Sequence, residues 1–339
     1  MIGRLAATVL LSTSGLATLL APPVHGQDTG EPPRPVEGED FRVYDIGGQS
    51  SSFAAVLNAL SDADVVLVGE EHDDVVGHRF EAELLGAAYR RLQAEDGRDV
   101  ILSLEMFERD VQYILAEYLD GTISETHFLD SSRPWDGYAD RYRPLVEFCK
   151  AHGLTVIAAN APRRYVSRVS IEGPESLHAL SATAKSFLPP LPYPGPSMEY
   201  RAQWDALMAE AMAVLETQAD SSAAQADAAE APSPRHSTMS PNVIYSQALW
   251  DAAMGHAITS ALGANPGSLV IHVAGSFHVQ RGTGIPERVA DYGPGTRVLS
   301  IVLVSVHDIT VWNEKEHARL GDFVVLTRQT EAVIDGSGN

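Results

Sequence analysis

Val65-Val66-Leu67-Val68-Gly69-Glu70-Glu71-His72 decides how this chain folds. Four aliphatic residues in a row leave no polar face, so the stretch reads as a strand covered on both sides, as in a parallel sheet. Val76, Phe80, Leu84 and Ala87 then recur at helical spacing. The pattern repeats downstream. Val100-Ile101-Leu102 is a second strand, and Val111, Ile114, Leu115 and Tyr118 share one face of the helix after it. A helix through Leu145 and Phe148 stops at Gly153, a glycine suited to a helix end, ahead of a third strand, Thr155-Val156-Ile157-Ala158. Leu269-Val270-Ile271, the run from Leu299 to Val304, and Phe323-Val324-Val325-Leu326 supply the remaining strands. Strand and helix in alternation imply right-handed βαβ units. The fold class is α/β, a mainly parallel sheet flanked by helices.

The alternation breaks where a smaller helical lobe is inserted, at about 172–264. Pro189, Pro190, Pro192, Pro194 and Pro196 form an extended connector, followed by a helix through Tyr200, Trp204, Leu207, Met208 and Ala211. Residues 217–242 contain no Val, Leu, Ile or aromatic residue and are predicted to be disordered, because they bury too little surface to offset their ordering entropy. Residues 41–339 otherwise read as a single domain, preceded by a flexible, proline-rich lead-in over 27–40. Before that, Arg4 is the only charge ahead of an uncharged run from Leu5 to Ala21, and Val24-His25-Gly26 is a small-residue cleavage pattern. Residues 1–26 are therefore expected to be a secretory signal peptide. The run is too short and hydroxyl-rich for a stable membrane span. With no cysteine beside the cleavage point, the expected product is exported without a lipid anchor, periplasmic or extracellular.

Composition narrows the partners. The 339 residues carry 24 basic and 45 acidic side chains, a formal charge of −21, so no nucleic-acid partner is expected: phosphate binding needs clustered Lys and Arg. A 45% hydrophobic content excludes a wholly disordered chain. Cys149 is the only cysteine, which excludes an internal disulfide and a CxxC metal knuckle.

Gly69-Glu70-Glu71-His72 and Gly275-Ser276-Phe277-His278 echo each other, and each follows a buried strand. In an open parallel sheet the residues beyond strand C-termini line the ligand crevice. Four such exits deliver His72 with Glu70 and Asp73, Glu105, Asn160 with Arg163, and His278. Two imidazoles and a carboxylate from separate strands suit a divalent metal, or an acid/base pair acting on a bound ligand. Glu105 lies in an apolar run and needs a partner, since burying it unpaired is expensive. Arg109, four positions on, is the candidate for that role.

These motifs resemble the ChaN-like haem-binding uptake proteins of the Tiki superfamily. Val68-Gly69-Glu70-Glu71-His72-Asp73 is similar to the family's G-E-x-H-D opening, and His78-Arg79 follows it. Glu105-Met106-Phe107-x-Arg109 with Gln112, Trp135-x-x-Tyr138 with Tyr142-x-Pro144-Leu145, and Ala158-Ala159-Asn160-Ala161-Pro162-Arg163 resemble further blocks. So do Gln247-x-Leu249-Trp250-Asp251-x-x-Met254 and Ala274-Gly275-x-x-His278 with Gly284-Ile285-Pro286. The matches keep their order from about residue 60 to 290. The resemblance implies haem binding, with haem sandwiched between two copies in a homodimer, and kinship with metal-dependent hydrolases. Carried over by residue, the metal chemistry falls on His72, Glu105 and His278, with Glu70 beside them. The founding members are lipoproteins, whereas this chain lacks the lipobox cysteine.

Haem iron takes His, Cys, Met or Tyr as axial ligand. Cys149 lies mid-helix. Tyr193 and Tyr200, in the connector and first helix of the lobe, are the haem-ligand candidates, and Tyr138 and Tyr142 lie by Trp135. The expected function is a secreted haem-binding protein of iron or haem handling, with haem or another small molecule as ligand. The alternative is a metal-dependent hydrolase using the His72/Glu105/His278 cluster. No residue is given a catalytic role on sequence grounds.

Overall fold

The computed structural model describes residues 34–223 and 240–330. One sheet is built from β1 (Phe41–Asp45), β2 (Val65–Glu70), β3 (Val100–Glu108), β4 (Val156–Asn160), β5 (Leu269–Gly275), β6 (Val298–Val306) and β7 (Phe323–Arg328). The strand order is β1-β7-β6-β2-β5-β3-β4. Every pairing is parallel except β1 with β7, an antiparallel edge that the sequence pattern did not reveal.

β2 is buried along its whole length, as its unbroken aliphatic run requires. Val66 and Val68 join Leu102, Leu104 and Ile271 in a core with Phe80 and Leu84 of helix Val75–Ala88 and Leu145 of helix Arg143–His152. Val65 and Leu67 face the other way, into a core with Ile101 and Val270, Met254 and Ile258 of helix Val243–Ala264, and Val289 of helix Ile285–Tyr292. Helix Val75–Ala88 is capped by Asp74, whose Oδ1 accepts the Val76 N–H at 3.0 Å while its Oδ2 accepts the Thr327 hydroxyl at 2.5 Å. Helix Arg143–His152 ends on Gly153 at φ 68°, the expected left-handed stop.

The chain runs from β2 to β3, returns after β4 to place β5 between them, and leaves β5 for β6 on the far side of β2. The direction of winding thus reverses around β2 and β5, the position at which open α/β sheets part their loops to form a crevice.

The β4–β5 connection holds the inserted helical lobe, including helices Arg163–Glu172, Met198–Ala223 and Val243–Ala264. Helix Met198–Ala223 runs past Thr217, where the sequence predicts disorder to begin. Its Ala, Gln and Glu residues are good helix formers, and propagation needs no apolar face. Residues 224–239 of that stretch lie outside the described residues. At its far end Ser240 is anchored, its hydroxyl donating to the Ser170 carbonyl at 2.6 Å. The lead-in is also more ordered than expected: Arg34 pairs with Glu83 at 3.2 Å and Glu37 accepts the Phe53 N–H at 3.0 Å. Residues 1–33, with the expected signal peptide, lie outside the described residues. Among the described residues no helix is long and apolar enough to cross a membrane.

Candidate functional site

Glu70 ends β2 directly opposite Gly275, the last residue of β5, so the two Gly-x-x-His turns leave the sheet side by side. Neither glycine is needed for a left-handed backbone. What each lacks is a Cβ. One on Gly69 would stand 3.0 Å from the Ser276 Cα, and one on Gly275 would stand 3.1 Å from the His72 ring. Close approach, not turn geometry, requires glycine here.

Each histidine is held through Nδ1 by a carboxylate. His72 Nδ1 lies 2.6 Å from Glu70 Oε1, and His278 Nδ1 lies 2.7 Å from Asp251 Oδ1. A carboxylate acceptor fixes the proton on Nδ1 and leaves Nε2 as the other ring nitrogen to bind. The His278 Nε2 lies 3.8 Å from Glu105 Oε1, and the His72 Nε2 faces Gly275. Glu105 lies within β3, not beyond its end. β3 pairs with β5 only as far as Leu104, and the Glu105 Oε2 then accepts the Gly275 N–H at 2.8 Å. That backbone bond, not Arg109, is the partner that buried Glu105 requires.

A buried network stands behind His72. The Tyr142 hydroxyl donates to Glu70 Oε1 at 2.7 Å, and His78 Nδ1 lies 3.3 Å from Glu70 Oε2 and 3.4 Å from Glu81 Oε2. The His78 Nε2 lies 3.1 Å from the His72 carbonyl, which can only accept. Both ring nitrogens of His78 therefore carry protons. Burial opposes that charge, but the carboxylates of Glu70 and Glu81, which face the ring, outweigh it and push the pKa up to about 11. Burial raises the pKa of the Glu81 carboxyl, and the neighbouring Glu70 adds to the rise. Burial also opposes charge on Glu70, yet His72 and His78 hold it well below the carboxylate range. The donor atoms of Glu70, His78 and Glu81 lie within 4.8 Å of one another, a spacing that suits a metal ion. With both His78 nitrogens committed as donors, the trio reads as a hydrogen-bonded support for His72.

His72 and His278 open into a cleft of about 790 Å³, within the range of small-molecule sites. Trp135, Trp204, Trp250 and Phe277 form its walls, and Arg163 and Leu207 lie on its lining. Trp135 packs edge-on against His72 at 5.1 Å and carries the Arg163 guanidinium 5.5 Å from its ring centre. The Glu70 hydrogen bond raises the His72 pKa against its partial burial. Burial opposes the His278 charge, but Asp251 and Glu105 push its pKa up to about 9.

Of the residues picked from sequence, Glu70, His72, Glu105, Arg163 and His278 line this cleft. Asp73, Asn160 and Arg109 do not. Asp73 is exposed, Asn160 is buried with its Oδ1 accepting the Ala161 N–H at 2.8 Å, and Arg109 turns toward His256. Tyr193 and Tyr200, read as haem ligands, are core residues outside the cleft lining. The Tyr193 hydroxyl donates to the Tyr245 carbonyl at 2.9 Å, and Tyr200 packs behind the cleft wall against Phe277 at 5.1 Å. Burial pushes both phenols above their usual pKa, the reverse of what a phenolate ligand needs. The structure adds Asp251, Tyr142, His78 and Glu81 as supports, roles that no spacing in the sequence reveals.

A mainly parallel sheet whose central strand exits deliver carboxylate-backed histidines to an aromatic cleft defines an α/β protein with a small-molecule-sized site. The family model described as haem-binding uptake, Tiki superfamily, ChaN matches residues 56–289, and the chain belongs to that family. The fold is similar to the solved structure of ChaN from Campylobacter jejuni, described as binding haem cofacially, with a TM-score of 0.59 at 15% identity. That match covers 87% of this chain and 100% of the other. The chloroplastic protein RETICULATA-RELATED 5 of Arabidopsis thaliana is 27% identical over 161 residues, which is 44% of this chain and 21% of that protein's length.

Proposed function

We propose that this protein is an exported haem-binding protein that seats haem in the cleft of His72 and His278. The observation that carries the reading is the pair of imidazoles, each backed by a carboxylate at Nδ1, on the lining of an aromatic-walled space of about 790 Å³. The residues fit the group: histidine is a common axial ligand, Trp135, Trp204, Trp250 and Phe277 offer apolar faces to a macrocycle, and Arg163 offers a cation to a propionate. Bound there, haem supplies an iron centre. The chain's own side chains orient the rings through Glu70 and Asp251 and exclude water with the tryptophans. Family membership supports haem as the ligand, and the signal-like residues 1–26 support iron or haem handling outside the cytoplasm. The exposed Leu207 at the cleft is consistent with a second copy closing over it.

The test is a hemin titration followed by absorbance. His72→Ala and His278→Ala should weaken uptake at least tenfold, while Tyr193→Phe should not. Full uptake by both histidine variants would overturn the seating. A second reading rests on the 3.8 Å gap between His278 Nε2 and Glu105 Oε1, which suits joint ligation of a divalent cation with His72. Such an ion would lower the pKa of bound water for hydrolysis. Stoichiometric zinc in the purified protein, lost in Glu105→Gln, would favour it.

A further inference from the structure

Among the described residues, Arg109 is a guanidinium without a carboxylate. It opens the turn Arg109–Val111 after β3, between Glu108 and Asp110. Neither acid serves it. Glu108 pairs with Arg133 at 3.1 Å and reaches Arg163 at 3.9 Å, and Asp110 pairs with Arg133 at 2.8 Å and Arg164 at 2.6 Å. Arg109 instead turns inward and donates from Nη1 to His256 Nδ1 at 3.1 Å. Accepting that bond leaves His256 neutral at Nδ1, so the pair holds one uncompensated positive charge. Burial of such a charge without a counter-ion is expensive.

The guanidinium lines a pocket of about 420 Å³ that shares no residue with the cleft of His72. Ile157 and Phe187 give it apolar walls, and Ser260 stands at its edge, exposed. Gln112 fixes one wall: its amide donates to the Val156 carbonyl at 2.9 Å and accepts the Ala158 N–H at 2.8 Å, clamping β4 on either side of Ile157. These two bonds hold the Gln112 amide against β4, and Arg109 supplies the charge.

We infer that this pocket binds an organic monocarboxylate, with the carboxylate on Arg109 and an apolar body against Ile157 and Phe187. The guanidinium fork matches a carboxylate in two-point geometry. Arg109 is the one charged residue on the pocket lining, so it meets the single charge of a carboxylate but not both charges of a phosphate dianion.

The test uses the full chain with octanoate and 1-octanol, binding being followed calorimetrically. Octanoate should bind saturably, one per chain, and at least tenfold tighter than 1-octanol. Arg109→Met should weaken octanoate about 10–100-fold, the range for losing a charged hydrogen-bond pair. Ser260→Asp offers a variant at an exposed position, so folding is not at stake. The new carboxylate should neutralise Arg109 and exclude octanoate, while hemin uptake in the separate cleft stays at the wild-type level. Equal binding of octanoate and 1-octanol, no saturable octanoate binding, or unchanged octanoate affinity in folded Ser260→Asp would each overturn the assignment.

Discussion

Asp251 and His278 meet at 2.7 Å although they belong to different layers, the carboxylate to helix Val243–Ala264 of the inserted lobe and the imidazole to the turn after β5. The lobe thus orients an imidazole that the sheet delivers. Asp251→Asn keeps the shape and an acceptor oxygen but removes the charge that strengthens Nε2 as a donor. Hemin or zinc affinity should fall about 10–100-fold, the usual effect of losing a carboxylate behind a ligating histidine. Circular dichroism should be unchanged. Tyr193→Phe is the contrasting case: it loses only the bond to the Tyr245 carbonyl, so stability should drop about 1 kcal/mol with hemin affinity intact.

Gly275→Ala tests the close approach of the two turns. A Cβ there would stand 3.1 Å from the His72 ring and 3.8 Å from Glu105 Oε2. The Gly275 backbone is ordinary, with φ −55°, so alanine adds no strain of its own. The His72 side chain is 45% exposed and can swing away. The unfolding midpoint in urea should therefore change little, while hemin affinity falls at least tenfold because His72 has left the cleft. A large loss of stability with affinity preserved would show that the ring is fixed and the backbone yields.

The sheet was legible because its strands are two-sided and apolar: Val65 to Val68 and Leu269 to Ile271 have one reading. The parallel arrangement then placed His72, Glu105 and His278 at one edge without any side-chain information, and the structure gathers them in one cleft. β1 is illegible because Arg42 splits Phe41 from Val43 and Tyr44 and Asp45 ends the run, leaving only a short edge strand. The supports of the site were illegible for a different reason. Asp251 reaches His278 across 27 positions because helix Val243–Ala264 packs against the sheet, and Tyr142 reaches Glu70 across 72. Tertiary packing sets such pairings, and sequence period does not. Tyr200 misled because an aromatic in an inserted lobe looks available until Phe277 is seen packed over it.

Export has a direct readout. Arg4, the uncharged run from Leu5 to Ala21 and Val24-His25-Gly26 predict that the mature protein begins near Gln27. Intact-mass measurement on protein secreted by the native host should find that N-terminus with no acyl group. A retained Met1, or added lipid mass, would remove the support for a role outside the cytoplasm.

Acid should destabilise the protein through His272. This ring lies within β5, fully buried, beside Ser103 on β3 with Nδ1 2.8 Å from the hydroxyl. Burial, reinforced by the charge on His278, pushes its pKa down from 6.5 to about 3. The folded state thus keeps His272 neutral at pH values where the unfolded chain already binds a proton. Where the unfolded state binds more protons, stability rises with pH. The contribution is complete above pH 6.5 and is lost as pH falls from there toward 3, at up to about 1.4 kcal/mol per pH unit. Urea unfolding of wild type and His272→Gln at pH 7.5 and pH 5 isolates this group from the other carboxylates and histidines. Glutamine keeps a hydrogen-bonding group near Ser103 but cannot titrate, so its stability should fall less than the wild type's between the two pH values. Parallel losses in both proteins would place the acid-sensitive group elsewhere, with the Glu70–His78–Glu81 network the next to be tested.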